Sequence, residues 1–153
     1  MNMTIKQIRR WAAAVAAICL LTLFLPLYGM TAFAATARIA FSDPTASVGS
    51  EINVKMKITS SDNLSTADIM LAYDPGSLEF IEGTNAEGGN GAVRVHGDGG
   101  GANTTTLAYD LKFKASAAGT SKITVTSQEI YDASSQIVTV DKQGESQVTV
   151  SAL

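Results

Sequence analysis

The chain has 153 residues, of which eleven are Lys or Arg and fourteen are Asp or Glu, giving a formal net charge of −3. Affinity for nucleic acids depends on neutralising phosphates with clustered basic residues, and the chain has no such cluster, so its composition disfavours nucleic-acid binding. A single cysteine, Cys19, excludes an internal disulfide, so the folded part must be stabilised by buried apolar surface.

The start of the chain has the pattern of a secretory signal peptide. Three basic residues are followed by an apolar run over residues 11–25, and an A-x-A cleavage site ends at Ala34. We therefore expect a signal peptide over residues 1–34 and a single folded domain over residues 35–153, with cleavage after Ala37 as the other possible position.

A retained membrane helix is the alternative, since the apolar stretch through Tyr28 is just long enough to span a bilayer. Pro26 and Gly29 interrupt its end, which favours cleavage, and Cys19 lacks the preceding Leu-Ala-Gly pattern of a lipid-modified cysteine. The expected product is secreted, extracellular or at the cell surface, with no membrane segment after cleavage. It contains no cysteine and carries eight basic against fourteen acidic residues, a balance of −6.

Downstream, three segments alternate between apolar and polar residues as half-buried strands do: 51–59, 67–73 and 107–113. Their predicted inward residues are Ile52, Val54, Met56 and Ile58, then Ala67, Ile69, Leu71 and Tyr73, then Leu107, Tyr109, Leu111 and Phe113. Shorter strand candidates are 38–41, 78–81, 92–96, 122–126, 137–140 and 147–150.

Turn-forming residues separate these segments, and no segment outside the leader has a helical period. In the stretch YDPGSLEF, residues 73–80, Pro75 fixes φ for a turn and Asp74 can accept hydrogen bonds from the turn backbone. We interpret this stretch as a corner and not as a site. About nine short strands separated by turns predict an all-β fold, a two-sheet sandwich.

Motifs for catalysis are absent from the sequence. The only histidine, His96, has no Ser or Cys companion in a nucleophile motif, and its alternation with Arg94 predicts a surface position. The carboxylates are spread along separate strands and turns, so no pair of catalytic acids can be assigned. We therefore expect no catalytic residue and no enzyme activity.

The Gly-rich run GDGGGAN, residues 97–103, has neither the spacing of a phosphate-binding loop nor the ligand pattern of an EF-hand, so we interpret it as a connection. We assign no cofactor and no metal site. A calcium ion held by Asp98, Asp110 or Asp141 with backbone carbonyls stays open as an alternative.

A carbohydrate-binding module is the main competing hypothesis for an exported β-sandwich. Polysaccharide surfaces are usually held by exposed aromatic rings. No tryptophan follows the leader, and Tyr73, Tyr109 and Phe113 share the inward phase of their strands. Tyr131 is the best candidate for exposure, and one ring is a poor platform for a polysaccharide.

Three longer stretches together resemble the cohesin domains of cellulosomal scaffold proteins and their diverged cell-surface relatives. They are ASVGSEINVKMKIT (46–59), TADIMLAYDPGSLEFIEG (66–83) and LAYDLKFKASAAGTSKITV (107–125). Shared features are a Val-Gly turn before a strand, an alternating strand that ends in Tyr-Asp-Pro, and a late strand with Phe-Lys before a Gly-containing turn. The resemblance covers nearly all of residues 35–153 and implies a nine-stranded jelly-roll sandwich, which some cellulose-binding modules share.

Cohesins bind dockerins, which are small calcium-loaded helical modules, so the resemblance implies a non-catalytic protein-binding module of a polysaccharide-degrading (cellulosome) or cell-surface assembly. The family uses one sheet for this contact, and an important Asp on the strand before Tyr-Asp-Pro matches Asp68. Thr66 stands where Asn is often found. The implied partner-binding residues are Thr66, Asp68 and Met70, with Arg94 and His96 from the Gly-rich region. Because the sequence contains no dockerin-like repeat, any partner is expected to be a separate molecule, and with one module the chain is expected to be a fragment, a truncated product or a simple adaptor.

Overall fold

The computed structural model describes residues 34–101 and 104–153, and Ala34–Leu153 form one compact unit. The signal peptide expected over residues 1–34 lies outside the described residues except for Ala34. Ten strands follow one another along the chain: β1 (Thr36–Phe41), β2 (Thr45–Ser47), β3 (Glu51–Ala72), β4 (Leu78–Gly83), β5 (Ala86–Gly89), β6 (Ala92–Gly97), β7 (Thr104–Ala115), β8 (Gly119–Asp132), β9 (Thr139–Gln143) and β10 (Ser146–Ser151).

The all-β sandwich predicted from the sequence is confirmed, and the strands differ from the prediction in number and in length. The segments predicted over 51–59 and 67–73 form the single strand β3. Both β2 and β5 were missed, because β2 has only three residues and β5 consists of Ala, Glu and two Gly. Since neither has an apolar alternation, sequence periodicity carries no signal for them.

Strand β3 is long enough to take part in both sheets. Its first half, residues 51–59, pairs antiparallel with β1 and β7, and its second half, residues 66–72, pairs antiparallel with β6 and β8. The register with β7 is interrupted between Thr59 and Leu64, where the strand passes from one sheet to the other.

We call the two layers the back sheet and the front sheet. The back sheet consists of β9, β1, the first half of β3, β7 and β4, with β9 parallel to β1. The front sheet consists of β5, β6, the second half of β3 and β8. Strand β10 pairs antiparallel with the first part of β8, residues 119–123, and parallel with β2.

Alternate side chains of both sheets fill one core. All twelve residues predicted to point inward are buried, with at most 7% of any of them exposed. At the centre the ring of Phe113 meets Tyr73 and Phe80 edge to face, with centroids 5.2 and 5.4 Å apart. Burial raises the pKa of Tyr109, whose hydroxyl donates to the carbonyl of Gly97 over 2.6 Å.

A tight corner joins β3 to β4, as predicted. The carboxylate of Asp74 accepts hydrogen bonds from the backbone N–H of Gly76 and from the hydroxyl of Ser77, each over 2.9 Å. The backbone N–H of Leu78 then donates to the carbonyl of Asp74 over 3.0 Å and starts β4. The two strands that this corner joins do not pair with each other, and the register that directs Asp68 outward comes from the pairing of β3 with β6 and β8.

Over the two described ranges, no helical segment has the length and apolarity that crossing a bilayer requires.

Candidate partner-binding face

The outer surface of the front sheet carries the residues proposed from the sequence. On β3, Asp68 lies directly between His96 on β6 and Glu129 on β8, and one step along the strand Met70 lies between Arg94 and Ser127. Thr66 is paired with Tyr131 towards the start of this half of β3. The structure therefore brings all five predicted residues, Thr66, Asp68, Met70, Arg94 and His96, onto one face.

An ion pair lies at the centre of this face. The guanidinium of Arg94 donates from Nε to Oδ1 of Asp68 over 3.0 Å and from Nη2 to Oδ2 over 2.7 Å. Nδ1 of His96 lies 3.4 Å from the same Oδ2. Arg94 sits diagonally across the strand pair from Asp68, a separation that a long side chain can span.

This arrangement keeps Asp68 ionised. The hydrogen bonds and positive charge of Arg94, with a smaller contribution from His96, hold the pKa of the Asp68 carboxyl below its usual value. The same contact raises the pKa of the Arg94 guanidinium. The side chains of Asp68, Arg94 and His96 are 27%, 47% and 62% exposed, so all three can be reached from solvent.

Strand β8 contributes a second pair of groups, which the sequence analysis did not include in the site. The hydroxyl of Tyr131 donates to Oε2 of Glu129 over 3.1 Å, and this bond raises the pKa of the tyrosine. The predicted strand ended at residue 126, because residues 127–129 are Ser, Gln and Glu and give no apolar alternation. The available signal in the sequence was the change from polar Glu129 to apolar Ile130 and then Tyr131.

An open groove of about 370 Å³ borders the ion pair on its β5 side, lined by Gly83, Asn85, Ala86, Glu87, Arg94 and His96. Glu87 faces Arg94 directly across the β5–β6 pair. Oδ1 of Asn85 accepts from the N–H of Gly99 over 3.1 Å, which fixes the orientation of the amide. The groove thus combines two basic side chains, an amide and a carboxylate.

The three carboxylates considered for calcium have separate local roles. Asp98 accepts from the N–H of Gly100 over 2.8 Å, and Asp141 lies 3.6 Å from Nε of Arg38. Asp110 lies in an open polar groove of about 320 Å³ on the back sheet. Within residues 34–101 and 104–153 no three His, Cys, Asp or Glu side chains come together as a metal site.

Aromatic side chains do not form a row on the front face. Of the six aromatic residues after the leader, Tyr73, Tyr109 and Phe113 are buried, and Phe80 is half-buried and packs on Phe113. Tyr131 is the one aromatic residue that the described strands place on this face, and it is half-buried.

Comparison with known proteins finds no matching family model and no matching curated protein. Solved structures do match, and several are cohesins. A cohesin from a scaffoldin of Acetivibrio cellulolyticus, solved in complex with a dockerin, has a TM-score of 0.64 and 19% identity, over 76% of this chain and 99% of that one. A non-cellulosomal cohesin from the archaeon Archaeoglobus fulgidus has a TM-score of 0.63 and 20% identity, over 76% and 91%.

A third similar structure is the cohesin module of a family 33 glycoside hydrolase from Clostridium perfringens. Its TM-score is 0.63 and its identity 10%, over 78% of this chain and 98% of that one. The chain therefore has the β-sandwich fold of cohesin modules, and the resemblance seen in the sequence is confirmed at the level of the fold.

Proposed function

We propose that this protein is a secreted, non-catalytic binding module that docks a dockerin-type module of another protein through the outer face of its front sheet. The observation that carries the proposal is the solvent-accessible cluster of Asp68, Arg94 and His96 at the centre of one sheet of a cohesin-like sandwich. Thr66 and Met70 flank Asp68 on the same strand and complete the proposed contact surface.

The similar structures support this choice of partner. The Acetivibrio cellulolyticus module was solved with a dockerin, and so was a Clostridium thermocellum cohesin with a TM-score of 0.63 and 17% identity, over 76% of this chain and 99% of that one. From the resemblance seen in the sequence we further infer that the partner is a separate, calcium-loaded module carried by an enzyme or surface protein of a polysaccharide-degrading or cell-surface assembly. Calcium then belongs to the partner, so a chelator should abolish binding without changing the melting temperature of this protein.

The direct test is titration calorimetry of the secreted domain with calcium-loaded dockerins. Asp68→Ala removes the carboxylate that orients Arg94, so we expect it to weaken binding by roughly tenfold or more, as for a central interface residue. Asp110→Ala is the matched control, because it removes an exposed carboxylate from the outer face of the back sheet. Equal affinity of Asp68→Ala and the wild type would reject the site.

Polysaccharide binding is the alternative, and the same protein tests it. Half-burial of Tyr131 and the packing of the other rings give it little support, because a flat glycan surface needs several exposed rings. Retardation of the wild type in gels that contain soluble glucans, together with no affinity for any dockerin, would favour this alternative.

The mature N-terminus is part of the proposal and has its own prediction. Ala37 is buried and pairs with Ser60 on β3 and Val140 on β9, so cleavage after Ala37 would remove a packed residue of β1. Cleavage after Ala34 leaves β1 whole. We therefore expect N-terminal sequencing of the exported protein to begin at Ala35, and a start at Arg38 would contradict the prediction.

A further inference from the structure

In the free protein both oxygens of Asp68 are already hydrogen-bonded. Nε and Nη2 of Arg94 take one oxygen each, and Nδ1 of His96 lies 3.4 Å from the second. The Asp68 side chain is also the least exposed of the three, at 27% against 47% for Arg94 and 62% for His96. Arg94 and His96 therefore offer an approaching partner a larger accessible fraction of their side chains than Asp68 does.

Arg94 retains donors for such a partner. A guanidinium has five N–H donors, and the forked contact with Asp68 uses two of them, so about three are left. In the described part of the chain, Nη1 takes no part in the contacts of Arg94 with protein acceptors. Arg94 also lines the open groove of about 370 Å³ beside β5, which a side chain of a partner can enter from solvent.

The charges around Arg94 determine which acceptor fits. Asp68 and Glu87 place two carboxylates beside one guanidinium, with Glu87 directly opposite Arg94 in the register of β5 and β6. This net negative surface would repel a further carboxylate from a partner, whereas it would not repel an uncharged oxygen. A hydroxyl, a side-chain amide or a main-chain carbonyl is therefore the matching group.

We propose that Arg94 is the specificity-determining contact for the partner and that Asp68 is its positioning residue, holding the guanidinium so that its remaining N–H groups bind an uncharged oxygen of the docked module. This inference rests on the proposed function. It differs from a direct role of Asp68, in which the carboxylate itself would accept a hydrogen bond from the partner and Arg94 would compete for it.

The two roles predict changes in affinity of opposite sign for the substitution Arg94→Ala. If Arg94 is the contact, Arg94→Ala weakens binding on the order of tenfold or more, as loss of a central arginine does in other interfaces. If Arg94 only competes for Asp68, Arg94→Ala leaves the carboxylate free and strengthens binding.

The experiment is a double-mutant cycle by calorimetry, with the dockerins of the Acetivibrio cellulolyticus and Clostridium thermocellum complexes, loaded with calcium, as the probes. We expect Arg94→Ala to lose most affinity, Asp68→Ala to lose less, and the double variant to bind no worse than Arg94→Ala, because a positioning residue has no effect without the group it positions. Lys114→Ala, which removes an exposed cation from the back sheet, should bind as the wild type does.

Arg94→Lys tests the geometry separately from the charge. Lysine keeps the positive charge and loses the planar fork, so we expect affinity close to that of Arg94→Ala. In the free protein, the side-chain Nε–H resonance of Arg94 should shift in Asp68→Ala, which reports the positioning contact without any partner. Wild-type affinity in Arg94→Lys would indicate simple charge attraction and overturn the proposal.

The outcomes separate the two claims. Failure of the wild type to bind any of these dockerins would overturn the proposed function, and this inference with it. Binding by the wild type, combined with equal or tighter binding by Arg94→Ala and a further loss when Asp68→Ala is added, would overturn this inference alone.

Discussion

At the scale of single residues, the side chain of Asp74 shapes the corner after β3. Asp74 accepts hydrogen bonds from the N–H of Gly76 and the hydroxyl of Ser77 within the turn. These bonds, above all the one from Gly76, hold the pKa of its carboxyl below the ordinary value of 3.8. The turn could be predicted from its residue types, because Asp, Pro and Gly in succession between two strands favour a tight turn. Which strands pair with β3 and β4 could not be predicted from these local preferences.

A pH-dependent stability follows for Asp74. Because the pKa is lower in the folded state, ionised Asp74 contributes stability that is fully present above about pH 4, the unfolded value, and is lost as the pH falls through the folded value. We expect Asp74→Ala to unfold at a lower temperature than the wild type at pH 7, with the difference shrinking below pH 4. Thermal unfolding at several pH values measures this. A constant difference across the range would contradict it.

At the scale of elements, alternation predicted the inward residues of β3 and β7 because each of these strands has one face on the core. It failed for β5 and for the second part of β8. The two Gly of β5 lack side chains, and residues 127–129 of β8 are all polar although their strand contacts the core through its neighbours. These strands border the proposed site, so Asp68 and Met70 could be placed from sequence while Glu87 and Glu129 could not.

The β5–β6 hairpin depends on close backbone contact at Gly88. A Cβ at this position would lie 2.7 Å from Cα of Val93, closer than non-bonded carbon atoms in proteins approach. We therefore expect Gly88→Ala to destabilise the fold by about 1–3 kcal/mol, as overpacking does, and to weaken binding by moving Glu87 relative to Arg94. Chemical denaturation and calorimetry measure the two effects.

Gly101→Ala is the control for this prediction, since a Cβ there would meet no atom within 4 Å. It should leave both stability and affinity near the wild-type values. Equal stability of the Gly88 and Gly101 variants would show that the hairpin can shift to accommodate a side chain.

For the whole molecule, the sequence predicted the class of fold because turns and alternation recur along nearly the entire chain after the leader. It did not predict that β3 is continuous, since the polar residues 60–63 interrupt the alternation where the strand changes sheets. The charges are unevenly placed between the two faces. The front-sheet strands carry four acidic residues (Asp68, Glu87, Glu129 and Asp132) against Arg94 and Lys122, whereas the back-sheet strands carry six basic residues (Arg38, Lys55, Lys57, Lys112, Lys114 and Lys142) against five acidic ones (Glu51, Glu79, Glu82, Asp110 and Asp141).

The central claim is that the front face binds a dockerin-type module, and calorimetric titration of the secreted domain with calcium-loaded dockerins tests it most directly. The account predicts saturable binding by the wild type and by Asp110→Ala, with affinity reduced by roughly tenfold or more in Asp68→Ala. Saturable binding that is equally strong in all three proteins would contradict the placement of the site, and no binding to any dockerin would contradict the proposed function itself.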